Sequence, residues 1–422
     1  MNISETYPRL ALFVLLLPLM IAVADCQSQS TRLTKILHDL HSNSIEVRDT
    51  AYQRLIELSN VKLTHEESVQ VMEATGEHYS PLSDSKSEIT AGLFFVAEKS
   101  SVPEYILIVR RLFARYPMKE KIEAINMLGT IDDKKSVEGT AELILEFENR
   151  ICAGAAKESV QQRTEHVLVD IAMYEVLLND VKKQWIGKEL MQRLSPAILC
   201  ATRSYGNLLG PMQSSLGTDD INWEEYAILH YNMAYLLDIL GYIPGDEEEK
   251  ELRNAMDLSD PYLKLFDICS LLRRGITAPP AEFLRVAQSG ETRNLLYDNL
   301  TELKRIDLFP RKYLTQEALA DGAMESWLTY PTELGQLPDS IELMTIRNKT
   351  TKQGIEDYYF YKFKTNPPHK LAERGWLAGV AGPFLRANTP TITAGGETFS
   401  EFNPWTDSFP DDYMKPDPDD KP

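Results

Sequence analysis

The sequence predicts a mainly α protein, an irregular array of helix pairs closed at its C-terminal end by a small β-hairpin. Three observations carry that reading. Apolar residues recur at helical spacing from Thr31 to about Leu328. Strand-like alternation is almost absent before residue 340 and then comes twice in quick succession. Turn residues interrupt the helical stretch at short intervals, so the apolar stripes belong to many helices.

The first 24 residues are a different material. Arg9 precedes an apolar run, Leu10–Val23, of signal-peptide length and too short to span a bilayer. The run ends in Ala22-Val23-Ala24, a small-x-small cleavage pattern, although Glu5 weakens the positive leader. Residues 1–24 are therefore expected to be removed, leaving Asp25 as the first residue of an exported, periplasmic or extracellular chain. Cys26 follows closely and raises the alternative of a membrane-anchored lipoprotein lipidated there, but Asp25 stands where such signals want a small residue.

Beyond it the helices follow one another. Leu33, Ile36, Leu37 and Leu40 form one stripe, and His41-Ser42-Asn43-Ser44 supplies turn and N-cap chemistry. Val47, Ala51, Leu55 and Leu58 form the next. The theme returns in Ile106, Val109 and Phe113, in Val137, Ala141, Ile144 and Leu145, and in Val167, Ile171, Tyr174 and Leu178. Tyr226–Leu240 is apolar nearly all round, which predicts burial on several sides. Gly241 and Pro244 end it, and the acidic run Asp246–Glu249 suits the positive end of the following helix. A last stripe is Leu265, Ile268 and Leu272.

Certain offsets recur. "SIEVRDTAYQRLIEL" carries Val47-Arg48, Ala51 and Leu55; "MKEKIEAINMLGTIDD" carries Lys121, Ala124, Leu128 and Gly129; "SDPYLKLFDICSLLRRG" has an Asp-Pro turn, a helix and a stop at Gly275. These resemble HEAT repeats, most clearly over 31–148 and 258–308, with Glu120 departing from the valine position. The resemblance implies an irregular HEAT-like helical repeat solenoid over 31–329, in which no helix pair buries its own face and small alanines let neighbours approach. An irregular helical bundle is the alternative.

After Tyr330 the composition changes. Ile341–Arg347 and Tyr358–Phe363 read as two strands joined by the polar connection "NKTTKQGIED". A lone hairpin is marginal in water, so it is expected to pack on the helical body. Pro367-Pro368-His369 ends the second strand, Gly375, Gly379 and Gly382 permit turns, and Trp376, Leu377 and Phe384 are anchors. The run Pro367-Pro368-His369, Ala372, Gly375-Trp376 and Ala378-Gly379-Val380-Ala381-Gly382-Pro383 resembles the C-terminal part of exported bacterial HEAT-repeat proteins, a family with no established activity. Lys370 stands where that pattern carries an aromatic. Residues 330–387 thus read as a hairpin and cap region closing the array, favoured over a recognition cluster of His369, Arg374 and Trp376. Residues 388–422 read as an extended or disordered acidic tail.

Chemistry is scarce. The formal net charge is −19 and no basic stripe relieves it, which argues against nucleic-acid binding. No phosphate-binding glycine loop, nucleophile elbow or HExxH is present. His38 and His41 share a helix face without further metal-type ligands, so no metal or other cofactor is expected. Cys26, Cys152, Cys200 and Cys269 are widely spaced. Most read as small buried hydrophobes, and a Cys152–Cys200 bridge stays open. The expected function is that of a non-enzymatic protein-binding scaffold of the bacterial cell envelope. The alternative is a small-ligand binder or enzyme with a cleft between the solenoid and the C-terminal hairpin.

Overall fold

A computed structural model describes residues 31–85, 87–100, 102–131, 137–146, 160–213, 223–329, 334, 337–365 and 376–386. Among them are fifteen α-helices followed by three strands. The helices are α1 (31–40), α2 (Ile45–Glu57), α3 (His65–Ala74), α4 (Ile89–Glu98), α5 (Tyr105–Leu112), α6 (Met118–Gly129), α7 (137–146) and α8 (Val160–Lys182). There follow α9 (Lys188–Gln213), α10 (Trp223–Leu240), α11 (Asp246–Ala255), α12 (Pro261–Arg273), α13 (Pro280–Gln288), α14 (Gly290–Glu302) and α15 (Gln316–Leu328). The strands are β1 (Ser340–Thr351), β2 (Gly354–Lys364) and β3 (Leu377–Leu385). The chain forms two compact units, one comprising Met1–Ser204 with Asn222–Asn232, the other Tyr205–Ile221 with Met233–Pro422.

In the first unit α2 packs on α4, α3 on α4 and α5, α4 and α5 on α6, and α6 on α8. The stripes read from sequence supply the core: Leu33, Leu40, Ala51, Leu55, Ile106, Val109, Leu128, Ile144 and Tyr174 are all buried. α3 starts with a capping box, in which the Glu67 amide donates to Thr64 Oγ1 at 3.2 Å and the Thr64 amide donates to Glu67 Oε2 at 2.8 Å. Val47, placed on the core stripe of α2, is exposed, while its neighbour Arg48 is buried. The guanidinium donates to the Ser42 and Pro81 carbonyls, each at 2.7 Å, so it ties two loops together and satisfies itself without a carboxylate. Gly129 has a packing role: a Cβ there would lie 2.7 Å from Val176 Cγ2, so glycine lets the end of α6 approach α8.

Near the end of α8, Asp180 is buried, and desolvation pushes its carboxyl up to about 6, with Lys183 opposing the shift. A carboxyl that keeps its proton longer in the folded than in the unfolded chain makes stability fall as pH rises between about 4 and 6. Asp180→Asn is therefore expected to flatten that part of the curve and to stabilise the protein at pH 7 by about 1–2 kcal/mol, after allowance for solvent screening. Urea titrations between pH 4 and 8 measure it; an unchanged slope would mean that Asp180 ionises normally.

In the second unit α11 packs on α12, α12 on α13 and α14, and α14 on α15. The Asp-Pro turn expected before α12 is present: Asp260 Oδ1 accepts from the Tyr262 and Leu263 amides at 2.8 and 3.2 Å, with Pro261 at the first helical position. Gly275 stops the helix at φ +79°, with the Ile276 amide returning to the Leu271 carbonyl at 2.9 Å. Leu265, Ile268, Phe283, Val286, Leu296 and Leu300 lie in one core cluster.

The expected two-stranded hairpin is corrected to a three-stranded antiparallel sheet in the order β1-β2-β3. "NKTTKQGIED" is mostly strand, with Lys349 opposite Glu356 and Thr351 opposite Gly354, leaving Lys352 and Gln353 as the turn. The small-residue run read as turns is β3 itself. Gly379 lies within it because a Cβ there would press on Met324 of α15 at 3.1 Å and on Phe363 at 3.3 Å. One sheet face lies on α15, where Ala320, Ala323, Met324 and Leu328 meet Tyr359, Tyr361, Phe363, Leu377 and Phe384. Tyr361 donates from its hydroxyl to Asp321 at 2.6 Å and Tyr359 to Gln316 at 2.9 Å, which fixes the sheet's register on the helix.

Candidate binding surfaces

Of the site residues singled out in the sequence, Trp376 is described, while Cys26 near the N-terminus and His369 and Arg374 in the closing stretch lie outside the described residues. Trp376 is partly buried, immediately before β3. Lys362 and Lys364 of β2 stand over its ring at 4.7 and 5.1 Å from the centroid. Strand parity makes this arrangement. Lys362 pairs with Glu342 on one side and with Ala378 on the other, so alternate residues of β2 and β3 share the face away from α15. Lys362 also forms an ion pair with Glu342 at 2.7 Å.

A second surface lies on the first unit and was not singled out in the sequence. Leu107 of α5 is 66% exposed, although Tyr105, Ile106, Ile108 and Val109 around it are buried. Arg110 and Arg111, one turn on, share its face. Arg110 reaches Glu142 of α7 at 2.6 Å and also bonds Glu146; Arg111 bonds Glu73 of α3. An apolar side chain thus stands beside charges already ordered by their own partners. The signal was present: Leu107 is apolar but falls off the Ile106, Val109, Phe113 stripe.

The first unit also holds a cavity of 540 Å³, whose lining includes Thr75, Tyr79, Pro81, Arg115, Tyr116 and Glu120. Thr75 Oγ1 and the Tyr116 hydroxyl share a buried hydrogen bond of 2.7 Å, and burial pushes the Tyr116 phenol up to about 12. Burial also raises the Tyr79 phenol, which donates to the Ala74 carbonyl at 2.9 Å. Both hydroxyls stay protonated at neutral pH, so they can hydrogen-bond a guest but cannot serve as bases. His41, considered as half of a metal pair with His38, stacks on Tyr79 at 4.6 Å and bonds Glu77 at 2.5 Å. No cluster of three metal-type ligands occurs among the described residues.

Cys269 behaves as the small buried hydrophobe expected, free and with its thiol pushed up to about 12 by desolvation. Cys200 does not; it is held in a disulfide. No described helix is long and apolar enough to cross a membrane.

No family model and no curated protein matches the chain. A solved structure described as the crystal structure of an engineered protein aligns over 71% of this chain and 85% of its own, at 12% identity and a TM-score of 0.27, a likeness too slight to carry an argument.

Proposed function

We propose that this protein is a non-enzymatic, protein-binding scaffold of the bacterial cell envelope, built as an irregular HEAT-like helical array that offers Leu107 as an anchor. The observation that carries the reading is Leu107 itself, an exposed leucine beside arginines already tied to carboxylates. Such an anchor gains from burial against an apolar partner side chain, and its neighbours lose little freedom when water leaves. The array reading is supported by the packing, since the helix pairs seen in extensive contact among the described residues are one or two places apart in the chain. Export is supported by the Leu10–Val23 run with its Ala22-Val23-Ala24 site, and by the disulfide at Cys200, which persists in an oxidising compartment. Trp376, partly buried over the sheet, belongs to the cap, and His369 and Arg374 precede it in sequence.

A photoreactive side chain in place of Leu107 tests this in the native host. The expected result is one dominant cross-linked protein, on a chain whose mature N-terminus is Asp25 by mass spectrometry. Diffuse labelling that matches a control site at Lys35 would contradict the anchor. An unprocessed Met1, or a lipidated Cys26, would contradict the processing expected here.

A further inference from the structure

The sheet face turned away from α15 has an apolar centre and a cationic end. Phe360 and Ala378 have no exposed surface and Val380 is 2% exposed, with Met344 and Tyr358 packed beside them. That cluster comprises, among the described residues, strand residues alone. A phenylalanine on an outer sheet face is not hidden by its own strands, whose side chains stand roughly perpendicular to the sheet beside it. At one end of the face lie Trp376 and the two lysines; Lys364 is exposed and forms no ion pair with a described carboxylate.

The chain leaves β3 at the opposite end. Leu385 pairs with Glu356, and the Arg386 amide donates to the Ile355 carbonyl at 2.9 Å. The sequence beyond carries Phe402, Trp405, Phe409 and Tyr413 interleaved with Asp407, Asp411 and Asp412. Extended chain advances about 3.3 Å per residue, so about ten residues recross the length of β3, and the stretch between Arg386 and Phe402 is long enough to let this segment reach both Phe360 and Trp376. Aromatic side chains suit the apolar centre, and carboxylates suit the Lys364 ammonium, which no described carboxylate pairs.

We infer that the outer face of the sheet is the seat of the chain's own C-terminal segment, 397–422, held by its aromatic residues over Phe360 and by its carboxylates against Lys362 and Lys364. The tail expected from composition to be merely extended or disordered then completes the cap, and the lysines act as its latch. This inference is independent of the Leu107 reading and stands or falls separately.

Amide hydrogen exchange of the full chain, followed by mass spectrometry, tests it. Amides within 397–422 are expected to be protected at least tenfold over an unstructured peptide. Trp405→Ala/Phe409→Ala, and separately Lys362→Glu/Lys364→Glu, are expected to abolish that protection while β2 and β3 amides stay protected. Carbodiimide coupling of a mixture of ¹⁴N and ¹⁵N chains is expected to join Lys362 or Lys364 to tail carboxylates within one molecule. Unprotected tail amides in the parent, protection indifferent to both variants, or cross-links found only between differently labelled chains would overturn it, the last in favour of a second copy as occupant.

Discussion

Leu128→Asp and Leu55→Asp are each expected to unfold the first unit at ordinary temperatures, lowering stability by at least about 4 kcal/mol. Leu55 has no exposed surface and Leu128 is 2% exposed. Truncating such a leucine costs about 2–5 kcal/mol, and a carboxylate left without a partner adds its desolvation. The helix ends have no room to swing aside at Leu128, because Gly129 already brings α6 against Val176. Leu128→Met, which conserves volume, is expected to cost less than about 1.5 kcal/mol. Circular dichroism melts of the three variants decide the matter; aspartate variants that melt with the parent would remove these residues from the core.

The second large effect is expected at Lys264→Ala, a loss of about 3 kcal/mol. Lys264 is 1% exposed; its ammonium forms an ion pair with Glu282 at 2.9 Å and donates to the Met256 carbonyl at 2.7 Å. Removing it strands the Met256 carbonyl and leaves Glu282 only the longer contact with Arg285 at 3.4 Å, the costly way to break a buried pair. Asp267, one turn along the same helix, is fully buried, and desolvation holds its carboxyl well above the usual range despite the nearby ammonium. Because the folded form keeps this proton more tightly than the unfolded form, stability is greatest at acid pH and declines as pH rises above about 4 toward the folded value. Asp267→Asn is thus expected to leave stability unchanged or raised at pH 8 and to remove that decline. Equal losses from Lys264→Ala and Asp267→Asn would mean that Asp267 is ionised and shares the ammonium.

The helices were legible because burial on one side imposes a 3.6-residue period, and Ala51, Leu55, Leu128 and Ile268 are buried where that period puts them. Arg48 was not legible: what buries it is a pair of loop carbonyls, one of them distant in sequence, and no hydropathy pattern records a carbonyl. β3 was missed for a related reason. Gly379, Gly382 and Pro383 are poor strand residues; the approach of Met324 and Phe363 explains Gly379, while Gly382 stands at φ +134° with the Asp357 carbonyl 2.8 Å from where a Cβ would lie. The alternation of Lys362 and Lys364 was visible along β2, but their meeting with Trp376 depends on β3 pairing beside them. Leu107 was visible only as an apolar residue off its stripe, a weak sign until the exposure of that face of α5 is known.

The central claim, that the protein works by binding another protein through the exposed face of α5, is tested most directly by titrating the purified chain with the protein cross-linked at Leu107. The parent is expected to bind it saturably, and Leu107→Glu to weaken binding at least tenfold with an unchanged melting temperature, since Leu107 contributes little to the core. Absence of saturable binding by the parent, or equal affinity of parent and Leu107→Glu, would contradict the account.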